Sequence, residues 1–212
     1  MSPWLNLLVG LALGLNLFAL ASSRLPSLIR CAAGQGVVLG ILPLLLGHGD
    51  WLTAGFALGT VAVKGILIPA LLYRAMRASS MDREIWPLIG FVPSLLLGAA
   101  ATIVAVGLAG KLPLRPEHAG SLLVGGAFAT LFTGILLLVG RAKAISQVCG
   151  YLILENGIFL FGLLLIRSTP LIVEAGILLD LTVAVFIIGI IVDRIQREFD
   201  TLDTRKLAEL KE

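Results

Sequence analysis

Long apolar runs occupy most of the chain and are separated by short polar stretches. Crossing a bilayer takes about 20 mostly apolar residues in a helix, because the hydrocarbon core is about 30 Å thick. The runs are continuous, whereas the strands of a transmembrane barrel alternate between apolar and polar positions. We therefore predict an all-α, polytopic membrane protein of about seven transmembrane helices. The predicted segments are Trp4–Ala21, Leu25–Leu46, Trp51–Tyr73, Ile85–Ala109, Ser121–Gly140, Ile145–Ile166 and Pro170–Val192.

Composition agrees with this pattern and limits the number of domains. Of the 212 residues, 58% are hydrophobic and 14% are charged, whereas soluble domains have about 45–50% apolar and about 25% charged residues. Seven segments leave no room for a soluble domain. We predict a transmembrane helical bundle over residues 1–192 and a charged cytoplasmic tail over 193–212. The tail is either a solvated helical extension or a docking segment for a soluble subunit.

The distribution of Lys and Arg predicts the orientation in the membrane. Short cytoplasmic loops carry an excess of these residues. Twelve fall on one predicted side: Arg24, Arg30, Arg74, Arg77, Arg83, Arg141, Lys143, Arg194, Arg197, Arg205, Lys206 and Lys211. The other side has Lys111, Arg115 and Arg167. We therefore expect the N-terminus outside and the C-terminus in the cytoplasm.

Three charged residues lie near the centres of predicted spans: Lys64, Glu155 and Asp180. Each costs at least about 2.5–3.5 kcal/mol at this depth, so it must face a partner, a cavity or water rather than lipid. Gln35 and Asn156 are uncharged polar companions at similar depth. Five residues after Lys64, a proline lacks the N–H that an uninterrupted helix needs, which predicts an opened backbone at the lysine.

Two interpretations of these buried groups remain open. Lys64 and one carboxylate could form an ion pair that only fixes the packing of the bundle. Alternatively, Lys64, Glu155 and Asp180 form a relay for protons or ions, in which neighbouring acids and the lysine exchange a proton. In that relay Gln35, Tyr151 and Asn156 are the supporting polar residues, hydrogen-bonded to the charged groups or to water between them.

Sequence motifs for independent chemistry are absent. The chain has no phosphate-binding glycine loop and no zinc-type histidine spacing. Cys31 and Cys149 are far apart within apolar runs, as expected for small buried residues. We predict no catalytic residue, no metal site and no cofactor on this chain. Its expected surroundings are the lipid bilayer and other protein subunits, not nucleic acid.

Several stretches resemble the hydrogenase-4 component E family. Cys149–Gly157 contains a Gly-Tyr-x-x-x-Glu-Asn-Gly segment of that family. Gln35, Lys64 before Gly65–Pro69, and the ending Thr201–Asp203 match it as well. The last three predicted helices also resemble the K subunit of respiratory complex I and the C subunit of Mrp-type antiporters. There Asp180 matches a membrane carboxylate, whereas Glu155 is one turn from the second carboxylate position, which here is Leu152.

The resemblance implies a non-catalytic membrane-arm subunit of a complex-I-related group 4 [NiFe]-hydrogenase or formate hydrogenlyase. It implies partners that include antiporter-like membrane subunits and soluble subunits carrying the nickel–iron site and iron–sulfur clusters. It also implies the cytoplasmic (inner) membrane of a bacterium or archaeon, and transport of protons or sodium ions. The alternatives are a freestanding ion transporter or antiporter component, and a purely structural membrane scaffold.

Overall fold

Helices account for the regular structure of the part of the chain that the computed structural model describes, namely residues 3–45, 51–78, 83–84, 86–112, 122–165, 183, 186, 187 and 189. They are α1 (Pro3–Ala21), α2 (Leu25–Leu45), α3 (Trp51–Ala62), a π-helical turn (Val63–Leu67), α4 (Ile68–Ala78), α5 (Phe91–Ala109), α6 (Leu123–Gly140) and α7 (Ala144–Leu165). Because α3, the π turn and α4 follow one another without a break, they form one continuous helical segment over residues 51–78, which we call the rod. Six helices in the described residues are long and apolar enough to cross a membrane. The predicted all-α, polytopic membrane fold is confirmed.

The predicted seventh segment, Pro170–Val192, lies almost wholly outside the described residues. Four positions in it are described, and all four are helical. Two of these, Val183 and Ile187, are buried in the core. The count of seven helices stays a prediction, as does the tail over 193–212, which also lies outside the described residues.

The start of the fourth predicted segment was wrong by six residues. We expected the helix from Ile85, but α5 begins at Phe91. Pro87 and Gly90 disfavour helix before that point. The residues between pair with other elements instead, since the Ile89 N–H donates to the carbonyl oxygen of Gly140 over 3.1 Å.

Three interhelical connections with many basic residues meet at one end of the bundle, which we call the basic end. There the Glu84 N–H donates to the carbonyl oxygen of Ser23 over 2.9 Å, joining the α4–α5 connection to the α1–α2 connection. The Lys143 ammonium donates to the carbonyl oxygen of Arg83, which adds the α6–α7 connection. At the opposite end, the Leu122 N–H donates to Asn6 Oδ1 over 3.1 Å. The grouping of basic loops agrees with the predicted topology, while the assignment of this end to the cytoplasm stays a prediction.

Two apolar clusters form the core, one toward each end. The basic-end cluster comprises mainly large aliphatic side chains, among them Leu20, Leu25, Leu28, Ile29, Ile68, Leu72, Leu137, Ile145 and Ile153. The opposite-end cluster comprises Leu5, Val9, Ala12, Leu39, Leu42, Leu123, Ala127 and Leu160. On α1, α2, α6 and α7 the buried residues of one cluster are separated from those of the other by about two to three turns. Polar side chains fill that interval.

Candidate functional site

A layer of buried polar side chains lies between the two apolar clusters, and we call it the polar layer. Its members are Asn16, Gln35, Lys64, Thr130, Glu155 and Asn156, all of which are buried. Gln35 is the central residue of α2, ten positions from either end. At 1.5 Å per residue this places it about 15 Å along the helix, half the thickness of the hydrocarbon core. The layer therefore lies near the middle of the membrane.

An ion pair between Lys64 and Glu155 forms the charged part of the layer. Lys64 Nζ lies 2.7 Å from Glu155 Oε1, and the two side chains are 8% and 3% exposed. Lys64 Nζ also donates to Asn156 Oδ1 over 3.2 Å. Because burying an unpaired charge costs several kcal/mol, mutual pairing and the amide contact make this depth tolerable.

Hydrogen bonds continue from the ion pair across the bundle. Asn156 Nδ2 donates to Gln35 Oε1 over 3.2 Å, and Gln35 Nε2 donates to Asn16 Oδ1 over 2.8 Å. Asn16 Nδ2 donates in turn to Thr130 Oγ1 over 2.9 Å. In each of these bonds the donor belongs to the residue that is nearer to Lys64 along the chain of bonds. The chain of bonds joins five of the six spans, with α5 outside it.

The backbone around Lys64 is opened, as the sequence predicted. The Ile68 N–H donates to the carbonyl oxygen of Val63, five residues earlier, which is the bond of a π-helical turn. Pro69 has no N–H with which to close the usual four-residue bond to Gly65. The wider turn places Lys64 at mid-membrane on the rod, facing α2 and α7.

A glycine on α2 makes room for the lysine. A Cβ atom placed on Gly36 would lie 2.6 Å from Lys64 Cβ. Any larger residue at position 36 would therefore push the lysine away. Between α6 and α7 the approach is equally close, since a Cβ atom on Gly134 would lie 2.5 Å from Leu154 Cα. This contact holds Glu155 and its helix against α6.

Two buried oxygen atoms in this region have no hydrogen-bond partner among the described residues. They are Glu155 Oε2 and Thr133 Oγ1, the latter one turn along α6 from Thr130. An unsatisfied buried polar atom costs about 1–3 kcal/mol. Glu155 therefore has one oxygen bound to the lysine and a second that is able to accept a proton or a hydrogen bond.

The structure brings together four of the six predicted relay and supporting residues: Gln35, Lys64, Glu155 and Asn156. Tyr151 lies one turn from Glu155 and is half-buried against the basic-end cluster, so its role in the layer stays a prediction. Asp180 lies outside the described residues, and its role also stays a prediction.

Sequence reasoning missed Asn16 and Thr130. An asparagine between leucines in α1 was the available signal, since an amide at that depth needs a partner. Thr130 gave no such signal, because a threonine hydroxyl can bond to its own helix.

Sequence reasoning also missed a second buried polar group, at the basic end. Glu84 is 4% exposed and accepts hydrogen bonds from Ser146 Oγ over 2.5 Å and from the Ala142 N–H over 3.3 Å. Its carboxylate thus lies at the start of α7, where negative charge is favourable. These hydrogen bonds tie the α4–α5 connection to the start of α7.

Arg141 completes this second group. Its side chain is 1% exposed, Nη2 donates to the carbonyl oxygen of Leu20 over 2.5 Å, and Cζ lies 4.4 Å from the ring centroid of Phe91. Burial lowers the pKa of the Arg141 guanidinium, and the nearby Glu84 carboxylate opposes that shift. The sequence placed Arg141 in a basic loop, and the structure shows its side chain buried inside the protein.

Among the described residues, no group of three or more His, Cys, Asp or Glu side chains could hold a metal ion. Cys31 and Cys149 are buried free thiols. Groups able to exchange protons and to form hydrogen bonds are present at the polar layer.

Known proteins with similar sequences identify the family. No family model and no solved structure matches the chain. An uncharacterized protein of Mycobacterium tuberculosis is 35% identical over 191 residues, which cover 89% of this chain and 87% of that protein. Hydrogenase-4 component E of Escherichia coli strain K12 is 31% identical over 152 residues, which cover 70% of this chain and 68% of that protein. Hydrogenase-4 component E of Shigella flexneri has the same identity and the same coverage. The chain belongs to the hydrogenase-4 component E family.

Proposed function

We propose that this chain is a non-catalytic membrane subunit of an energy-converting hydrogenase complex, in which its polar layer contributes to the movement of protons or sodium ions. The observation that carries the proposal is the buried Lys64–Glu155 ion pair at mid-membrane, joined by hydrogen bonds to five spans. Charged groups at this depth are costly, and they commonly mark ion paths or proton relays.

The two oxygens of Glu155 suit the group to proton exchange. Oε1 contacts Lys64, while Oε2 is buried without a hydrogen-bond partner among the described residues. A proton can bind at Oε2 with no change in the position of the lysine. In the proposed relay the Lys64 ammonium gives a proton to a neighbouring acid and is reprotonated by Glu155. The pair can thus pass a proton between an acid and a lysine.

The amide part of the layer holds the lysine in place. Asn156 Oδ1 accepts from Lys64, and Gln35 and Asn16 extend the same donor direction toward α6. Amide groups exchange protons poorly, so we assign Asn16, Gln35 and Asn156 to positioning and not to conduction. Asp180 is proposed as a further relay group and Tyr151 as a supporting one, on the strength of their place in the sequence.

The family supports the assembly part of the proposal. Hydrogenase-4 component E is by name one part of a hydrogenase. We accordingly propose other membrane subunits, including antiporter-like ones, and soluble subunits as partners in the cytoplasmic membrane. The nickel–iron site and iron–sulfur clusters would belong to those soluble subunits. The group 4 or formate hydrogenlyase type is the form of complex that we propose.

Purification through a tag on this chain in a mild detergent tests the assembly. Mass spectrometry would identify the partners, and metal analysis would measure nickel and iron. We expect a hydrogenase module containing both metals. Iron–sulfur partners without nickel would instead indicate another relative of complex I. A stable, ion-conducting particle of this chain alone would contradict the proposal and favour a freestanding transporter.

A further inference from the structure

A groove of about 350 Å³ opens between α1 and α2 near the basic end. Its walls are Leu15, Phe18 and Cys31, and its polar lining residues are Ser27 and Arg30. Ligand sites in proteins usually have volumes of about 300–1,000 Å³, so the groove is large enough for part of a ligand. It is separate from the polar layer.

Arg30 is fixed at this groove by a neighbouring helix. Its Nε donates to Tyr73 Oη over 3.2 Å, and the Tyr73 hydroxyl donates to the carbonyl oxygen of Pro26 over 3.2 Å. The side chain remains exposed. Binding through Nε restrains the guanidinium, and a restrained guanidinium loses less conformational entropy when it binds an anion. The structure therefore presents an oriented positive charge beside an apolar surface.

The charged end of the groove lies within reach of the lipid headgroups. Arg30 is five residues after the start of α2, about 8 Å along the helix. An arginine side chain at that depth reaches the membrane surface with its charged end while its methylenes stay in the apolar region. Farther toward the membrane centre, Gly14 is exposed, and a Cβ atom there would meet nothing within 4 Å. An acyl chain can therefore continue along α1 beyond Leu15.

We propose that this groove binds an anionic phospholipid. Its phosphate contacts the Arg30 guanidinium and the Ser27 hydroxyl, and one acyl chain lies against Leu15 and Phe18. The occupant follows from charge complementarity, since guanidinium groups bind phosphate oxygens through paired hydrogen bonds. It follows also from the apolar side chains of Leu15, Phe18 and Cys31, which line the groove among the described residues. The proposal needs only that the chain is embedded in a bilayer. It is independent of ion movement through the polar layer.

Lipid retention measures this site directly. The full chain would be reconstituted in nanodiscs with equal amounts of phosphatidylglycerol and phosphatidylcholine, released in mild detergent, and analysed by native mass spectrometry. We expect a roughly tenfold preference for retained phosphatidylglycerol, the size of effect that a charge-assisted hydrogen bond supplies. Arg30→Gln should remove that preference, and Arg30→Lys should restore part of it. The matched control is Arg77→Gln, an exposed arginine of the basic end that does not line the groove.

Three results would overturn the proposal. Equal retention of the two lipids by the unmodified chain would mean that the groove does not select a lipid with net negative charge. An equal loss in Arg30→Gln and Arg77→Gln would mean that general surface charge attracts the lipid. Retention by the isolated chain but not by the intact complex would show that a partner subunit covers the groove.

Discussion

Removing one member of the Lys64–Glu155 pair should destabilise the protein much more than removing both. In the variant Lys64→Met the carboxylate loses its partner, and in Glu155→Leu the ammonium does. The double variant Lys64→Met/Glu155→Leu leaves two apolar side chains of similar length facing each other. The comparison therefore separates the cost of an unpaired charge from the net contribution of the pair.

The geometry sets the magnitudes. At 2.7 Å two unit charges attract by about 6 kcal/mol at an effective dielectric constant of about 20. The desolvation of each ion, several kcal/mol, offsets most of this attraction. Loss of one partner should thus cost about 3–5 kcal/mol of unfolding free energy, and loss of both should cost less than about 1 kcal/mol. Lys111→Met, which removes an exposed lysine beyond α5, should stay within about 0.5 kcal/mol of the unmodified protein.

The assay is reversible unfolding of the full chain in mixed micelles with increasing sodium dodecyl sulfate, followed by tryptophan fluorescence. All four variants should unfold in one transition, so that their free energies compare directly. Single variants that each cost under about 1 kcal/mol would refute the reasoning, as would a double variant that costs the sum of the two. The first result would mean that the pair is hydrated, and the second that each side chain stabilises the protein independently of the other.

Further predictions concern packing, the basic end and topology. Gly36→Ala should lower the unfolding free energy by about 1–3 kcal/mol through overpacking against Lys64. The control Gly59→Ala, whose Cβ would meet nothing within 4 Å, should be neutral or stabilising. Equal effects of the two variants would contradict the close approach of Gly36 to Lys64. Glu84→Gln should cost about 1–3 kcal/mol, because a buried acceptor of two hydrogen bonds is altered, and an unchanged transition would count against a structural role. In sealed cells, a thiol reagent that does not cross membranes should label Lys111→Cys but not Arg83→Cys, and the reverse pattern would invert the predicted orientation.

The membrane fold followed from the sequence because each span has to be apolar over its whole length. That constraint acts along the sequence alone, and it placed most segment ends within two residues. The third segment is an exception, because α4 continues to Ala78, five residues beyond the predicted end at Tyr73. The constraint fails between Ile85 and Phe91, where apolar residues continue but proline and glycine break the helix. There the backbone bonds to Gly140 on another element, a contact that no local pattern contains.

The candidate site was predictable where a residue was costly at its depth. Lys64, Glu155, Gln35 and Asn156 stood out for that reason, and the structure joins them by hydrogen bonds. Which residues pair could not be predicted, since pairing depends on how the helices are rotated and crossed. The burial of Arg141 could not be predicted, because a basic residue beside a helix end is usually solvated, yet here it lies inside the protein.

Ion movement by the assembled complex in sealed vesicles tests the central claim most directly. Hydrogen formation would be driven by an artificial electron donor while proton or sodium uptake is recorded, and rates would be expressed per assembled complex. The account predicts that each of the single variants Glu155→Gln and Asp180→Asn stops coupled ion movement. The control Glu84→Gln alters a buried carboxylate outside the polar layer, and it should leave coupled ion movement unchanged. Full ion coupling in both Glu155→Gln and Asp180→Asn would contradict the relay and leave the polar layer as a structural scaffold.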